Sequence, residues 1–156
     1  MDPPNDDGGQ RPPRVVCIDD DLDFMTVLCR RLEQMGLVVA SATSAVRGYQ
    51  TVLQEQPDLV IADYFMPSEY GTYVLRRLKE DAHLERLPVI VVTGRDISAR
   101  IGPKRNVTLE QQIRDLGAAT ILTKPLSQRL LAAAVRKCLS LNADQGPYSH
   151  WPDGAG

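Results

Sequence analysis

Aromatic residues are scarce in this 156-residue chain, at 5%, with two Phe and one Trp. A core must therefore be built from Val, Leu, Ile and Ala, which suits strands buried on both faces of a parallel sheet. An excess of charge is also missing, since 18 Lys plus Arg face 20 Asp plus Glu. That balance argues against an extended basic surface for nucleic acid. No apolar run approaches the roughly 18 residues of a membrane span, and the N-terminus is acidic and proline-rich, unlike a secretory signal. The three cysteines, Cys17, Cys29 and Cys138, lack metal-ligand spacing, and each lies in an apolar run or on an apolar helical face. They are expected to be reduced and buried, and the protein to be cytoplasmic with no membrane partner. No glycine-rich loop follows the first apolar run, which removes the usual nucleotide-binding arrangement. No internal repeat is present.

What is there is a single patterned segment, residues 14–141, between two polar ends. Residues 1–13 hold four prolines and three aspartates with no apolar residue after Met1. They cannot bury enough surface to offset the entropy of ordering, so a disordered N-terminal tail is expected. Residues 142–156 read as a flexible C-terminal tail. Tyr148 and Trp151 in it could form a short docking peptide or be scattered aromatics in a disordered segment.

Between the ends, short β-branched runs alternate with stretches of helical period. The runs are Val15–Ile18, Val38–Ala42, Leu59–Ala62, Val89–Val92 and Thr120–Thr123. Met25, Leu28, Cys29, Leu32 and Met35 form the apolar stripe of a first helix ending at Gly36. Ser44 is the expected N-cap of a second, with Ala45, Val46, Tyr49 and Leu53 facing inward and Pro57 beyond its end. Val74, Leu75 and Leu78 mark a third. A fourth opens with the Thr108-x-x-Gln111 capping box, carries Leu109, Ile113 and Leu116, and closes at Gly117. Leu130, Leu131, Ala134, Cys138 and Leu141 mark a fifth. Right-handed crossovers wind this order into an α/β fold, a (βα)5 doubly wound five-stranded parallel sheet.

In such a sheet, functional groups collect at the carboxyl ends of the strands. The first run ends in Asp19-Asp20-Asp21, the third in Asp63, the fourth in Thr93-Gly94 and the fifth in Lys124-Pro125. Helix capping accounts for Asp21 and, as a first-turn acid, Asp23. It does not require Asp19 or Asp20, and adding Asp63 at the same edge crowds like charges. A hard cation resolves that conflict: Mg²⁺ takes oxygen ligands and needs only one or two carboxylates plus a phosphate. The alternative is an acidic cluster of purely structural origin. A carboxylate beside a divalent cation can attack phosphorus, which gives Asp63 a role beyond that of a strand-end residue. Thr93 and Lys124, each unremarkable alone, would add a hydroxyl and an ammonium for phosphoryl oxygens.

From Arg14 to Leu141 this constellation resembles the receiver domain of two-component response regulators, which has the flavodoxin-like topology. The resemblance implies phosphoryl transfer to an aspartate from a sensor histidine kinase or histidine phosphotransfer protein, with Mg²⁺ required. By position, Asp63 is similar to the family's phosphoacceptor. Asp19 and Asp20 are similar to its acidic metal pair, Asp20 being the direct ligand, and the Phe65 backbone carbonyl to the remaining protein ligand. Thr93 matches the switch hydroxyl and Lys124 the lysine of the Lys-Pro motif, with Pro125 behind a cis bond. The implied function is a phosphoacceptor that signals by binding an unknown downstream protein, with self-catalysed dephosphorylation and no other enzymatic activity.

Three features depart from the family pattern. Ile121 occupies the place of its switch aromatic, so a swinging ring is not available there. The segment after Thr93 is longer than usual and carries Arg95, Arg100, Lys104 and Arg105 against Asp96. It reads as a solvated loop turning at Gly102-Pro103 or as a contact for a protein partner, without the recognition helix that direct DNA binding needs. No output domain follows the fifth helix, so a single-domain regulator, or a piece of a longer one, is expected. Phe65 and Arg95 fall where the family admits attacking water, and neither can orient it as an amide or carboxylate could. The rival reading is a phosphorylation-independent interaction module that keeps the fold. A phosphatase working through an aspartyl-phosphate would need a general acid where Phe65 stands. His83 and His150 are expected to be solvated loop residues.

Overall fold

Five runs of β-branched residues, too short for helices, become the strands of one parallel sheet in the computed structural model, which describes residues 11–66 and 72–143. The chain runs β1 (Arg14–Ile18), α1 (Leu22–Gln34), β2 (Val38–Ala42), α2 (Ala45–Glu55), β3 (Leu59–Asp63), α3 (Thr72–Glu80), β4 (Val89–Thr93), β5 (Arg100–Ile101), β6 (Val107–Thr108), α4 (Leu109–Asp115), β7 (Thr120–Thr123) and α5 (Gln128–Ala143). The sheet order is β2-β1-β3-β4-β7, so the chain reverses its direction of travel between β1 and β3 and leaves a crevice beyond their carboxyl ends. Residues 1–10, 67–71 and 144–156, with Pro67, Gly71, Tyr148 and Trp151, lie outside the described residues. The chain is tied to the fold from Arg11, three residues ahead of the expected boundary. Arg11 donates to the Gln56 carbonyl, and the Pro13 carbonyl accepts from Val38 N–H at 2.9 Å.

Alternation along the strands supplies both layers of the core. Val16, Ile18, Val60, Ala62, Val89 and Val91 point to one face, where they meet Val52, Leu75, Leu78 and Ile113 of α2, α3 and α4. Val15, Cys17, Leu59, Ile61, Ile90 and Val92 point to the other, against Met25, Leu28 and Leu32 of α1 and Leu131, Val135 and Cys138 of α5. The α4 capping box forms as its sequence predicts, and Gly117 closes that helix at φ 102°.

Two helical faces differ from expectation. On α2 the buried stripe is Ala45, Gly48 and Val52, while Val46 and Leu53 are each 43% exposed. Gly48 is the reason: a Cβ there would stand 2.5 Å from Ile18 Cδ1, so its absence lets α2 lie directly on β1 and turns the flanking apolar residues outward. On α5, Leu130 is 59% exposed, and Leu131 with Val135 fills the core in its place. The long segment after β4 folds into the antiparallel hairpin β5–β6 rather than an unstructured loop.

All three cysteines are free thiols, with Cys17 and Cys138 buried and Cys29 half-buried. A hydrogen bond joins the thiols of Cys17 on β1 and Cys29 on α1. That bond, with burial, holds the Cys17 thiol well above its usual range, and the same bond draws Cys29 down to about 7. Burial pushes Cys138 up. Limiting iodoacetamide at mildly alkaline pH should therefore alkylate Cys29 ahead of the other two, because the thiolate is the nucleophile. Peptide mapping checks this, and equal labelling of all three would contradict the pairing.

Candidate functional site

The register of the sheet assembles the site. β1 pairs with β3 through Ile18 and Ala62, so the next residues, Asp19 and Asp63, emerge side by side at the carboxyl edge. Asp63 pairs with Val92 and Thr93 with Thr123, which brings Thr93 and then Lys124 to the same edge. Carboxylate oxygens of Asp19, Asp20 and Asp63 lie within 4.8 Å of one another, with Asp19 and Asp63 buried and Asp20 exposed. Thr93 is fully buried.

Each buried carboxylate is held by the chain around it. Asp19 Oδ1 accepts the Asp21 N–H at 2.9 Å, and its Oδ2 accepts the Lys124 ammonium at 2.7 Å. Asp21 in turn caps α1 by accepting the Phe24 N–H, as expected of the third aspartate. Asp63 Oδ1 accepts the Phe65 N–H at 3.2 Å, while its Oδ2 stands 3.7 Å from Lys124 Nζ. Lys124 is fixed at its backbone by donating to the Thr93 carbonyl, and its bond to Pro125 is cis. Thr93 Oγ1 accepts the Arg95 N–H at 3.0 Å. A hydroxyl that accepts one bond still has its own proton to give.

The electrostatics follow from this crowding. Burial first, and then the charge of Asp19, push the Asp63 carboxyl up to about 6, against the opposing pull of the Phe65 N–H and Lys124. Burial draws the Lys124 ammonium down, but the Asp19 hydrogen bond and the charges of Asp63, Asp19 and Asp21 outweigh it and hold the group above its usual range. One ammonium thus faces three carboxylates, an arrangement with an unmet need for positive charge. The donors are oxygens only, one of them open to solvent, and that set fits a hard divalent ion keeping several waters.

Three neighbours of the site were not legible as site residues or were only partly so. The Arg95 guanidinium stacks on the Phe65 ring at 4.2 Å. The Phe24 ring lies 4.2 Å from Lys124 Nζ, a contact that no motif predicts. Tyr64 is buried, meets Phe65 edge to face, and donates its hydroxyl to Gln112 on α4 at 3.3 Å. Ile121 sits in β7 opposite Val91 and packs, partly buried, against the core on the α4 side. His83 is exposed, and His150 lies outside the described residues.

Residues 15–136 match the family model described as the response regulator receiver domain. The chain belongs to that family. Among relatives of this receiver, Protein PilH of Pseudomonas aeruginosa is 31% identical over 128 residues, which cover 81% of this chain and 98% of PilH. The DNA-binding dual master transcriptional regulator RpaA of Synechocystis is 31% identical over 129 residues, 81% of this chain but 49% of RpaA. The receiver thus spans about half the length of several relatives, the phosphate regulon regulator PhoB of Pseudomonas aeruginosa at 51% being another. A putative response regulator from Chloroflexus aurantiacus superposes with a TM-score of 0.71 at 25% identity, over 83% of this chain and 99% of that one. A CheY-like receiver domain protein from Methanospirillum hungatei, 23% identical, has the same fold with a TM-score of 0.72, over 86% and 99% of the two chains. Among the described residues, no helix is long and apolar enough to cross a membrane.

Proposed function

We propose that this receiver accepts a phosphoryl group on Asp63 from the phosphohistidine of a sensor histidine kinase or histidine phosphotransfer protein, and signals by binding a downstream protein in the cytoplasm. The observation that carries the reading is the buried Asp63 carboxylate, flanked by two further aspartates within 4.8 Å and by the Lys124 ammonium. Asp19, Asp20, Asp63 and the Phe65 carbonyl would hold Mg²⁺. When bound, the ion supplies charge to offset repulsion between the carboxylate and the incoming phosphoryl oxygens.

The remaining work belongs to the chain. An Asp63 oxygen forms the new bond to phosphorus in line with the phosphorus–nitrogen bond that breaks, and the imidazole leaves with that electron pair and takes a proton. The Phe65 N–H on Oδ1 fixes the rotation of the attacking carboxylate. At neutral pH a carboxyl of pKa about 6 is mostly ionised and nucleophilic. Lys124, bonded to Asp19 and within 3.7 Å of Asp63, needs only a small movement to meet a phosphoryl oxygen. The Thr93 hydroxyl, spent as an acceptor on Arg95, has its proton free for another.

Intact mass after incubation with acetyl phosphate and Mg²⁺ tests this. A single phosphoryl adduct is expected, absent from Asp63→Asn and from a chelator-treated control. An adduct that survives in Asp63→Asn, or none in the wild type, overturns the assignment. One observation favours a second reading, a phosphorylation-independent interaction module: Ile121, packed against the core, has no ring to swing. The absence of any adduct in the wild type, with no Mg²⁺ binding by titration, would favour this module.

A further inference from the structure

Lys124 is held by more than carboxylates. Its ammonium lies 2.7 Å from Asp19 Oδ2, 3.7 Å from Asp63 Oδ2 and 4.2 Å from the centroid of the Phe24 ring. The two elements that bring ring and ammonium together are fixed independently. Phe24 is pinned at its N–H by the Asp21 cap, and its half-buried ring packs against the core between the sheet and α1. Lys124 is pinned at its N–H by Thr93, and Arg31 of α1 donates to the Leu126 carbonyl at 3.1 Å, tying α1 to the loop after β7.

A lysine is a hydrated point charge on a flexible four-carbon stem, and beside several carboxylates its natural resting places are water or the nearest oxygen. An aromatic face offers a third. It attracts the cation through its quadrupole, yet has neither formal charge nor an oxygen lone pair. The ring therefore confines the ammonium without using up its capacity to donate, and of three N–H donors only one is committed to a short bond, that to Asp19. Asp21 and Asp23 both precede Phe24 in the sequence, and a carboxylate in the place of Phe24 would instead compete with an arriving anion.

We propose that Phe24 is a positioning residue for phosphoryl transfer to Asp63, its ring keeping the Lys124 ammonium beside the acceptor carboxylate without neutralising it. This rests on the reading of Asp63 as phosphoacceptor. Phe24→Leu keeps the apolar bulk and removes the π face, Phe24→Tyr restores the face, and Lys124→Ala removes the group through which the ring acts.

Two measurements on the full chain, with melting curves confirming that each variant is folded, test the proposal. In NMR spectra of protein carrying ¹³C-labelled lysine, the Lys124 CεH₂ protons should be ring-shielded in the wild type and Phe24→Tyr and lose that shift in Phe24→Leu. The maximal rate of Asp63 phosphorylation by acetyl phosphate should fall about fivefold in Phe24→Leu, the size a partly desolvated cation–π contact supports. The half-saturating donor concentration should stay unchanged, and Phe24→Tyr should recover the rate. On a Lys124→Ala background, Phe24→Leu should cost nothing further. An unshielded Lys124 in the wild type, an unchanged rate in Phe24→Leu, or a loss that persists undiminished without Lys124 overturns the role of the ring. A wild type that shows the ring shift but takes no phosphoryl group brings down the acceptor reading, and this proposal with it.

Discussion

Metal-free Asp63→Asn protein should melt above the wild type at about pH 7.5, by roughly 5 °C, and the gap should narrow to about a third of that as the pH is lowered to about 4.5. Burial, and after it the negative charge of Asp19, raise the Asp63 carboxyl from 3.8 to about 6 in the folded state. The unfolded chain releases the same proton near pH 4. Between those values the folded state holds more protons than the unfolded one, so stability falls as pH rises through the window and the whole penalty is present above it. Each pKa unit corresponds to about 1.4 kcal/mol, and with solvent screening at the mouth of the site the penalty is on the order of 2 kcal/mol. Asparagine keeps the shape and carries no charge. Thermal melts of both proteins in chelator at the two pH values check this. A gap that is absent at neutral pH, or wider in acid, would show that Asp63 is not under electrostatic stress. Adding Mg²⁺ should then stabilise the wild type more than Asp63→Asn, which lacks one of the proposed ligand oxygens.

The aspartyl phosphate should be long-lived, and Phe65→Asn combined with Arg95→Glu should shorten its lifetime about tenfold or more. Hydrolysis needs a water placed in line with the phosphorus–oxygen bond and a group to orient it. In the wild type the Phe65 ring and the Arg95 guanidinium stack at 4.2 Å, Phe65 donates its N–H to Asp63, and Arg95 is anchored at its N–H to Thr93. An apolar face and a cation without acceptor atoms leave an attacking water nothing to donate to. An amide and a carboxylate at those positions supply acceptors and remove the stack together. Decay of the adduct after removal of the donor, followed by intact mass, gives the comparison. A double variant that decays at the wild-type rate, or more slowly, would place control of the lifetime elsewhere.

Tyr64 bears on how a site lacking a switch aromatic at Ile121 could reach the rest of the molecule. It follows Asp63 directly, is buried, and bonds through its hydroxyl to Gln112 on α4. The segment after β3 is thus joined to α4 by the side chain next to Asp63.

The five strands of the main sheet, the α4 capping box and the acidic and basic residues at the strand ends were legible along the chain, because each is a local pattern: β-branched runs, helical periods, a Thr-x-x-Gln, a polar residue where a run stops; the short β5–β6 hairpin was not. The structure extends β3 and β4 by one residue each, so that they end on Asp63 and Thr93 themselves. The face of α2 was not legible, since helical period alone made Val46 and Leu53 as good as Gly48. The close approach to Ile18 that selects Gly48 is a distance between two elements, which periodicity within one element cannot contain. The same holds at the site. Residue identity shows that Lys124 can pair with a carboxylate; only the packed structure makes Asp19 its short partner and Asp63 its longer one, sets Phe24 against the ammonium, and stacks Arg95 on Phe65. The raised pKa of Asp63 belongs to that level too, because burial and the nearness of Asp19 come into being when β1 and β3 pair.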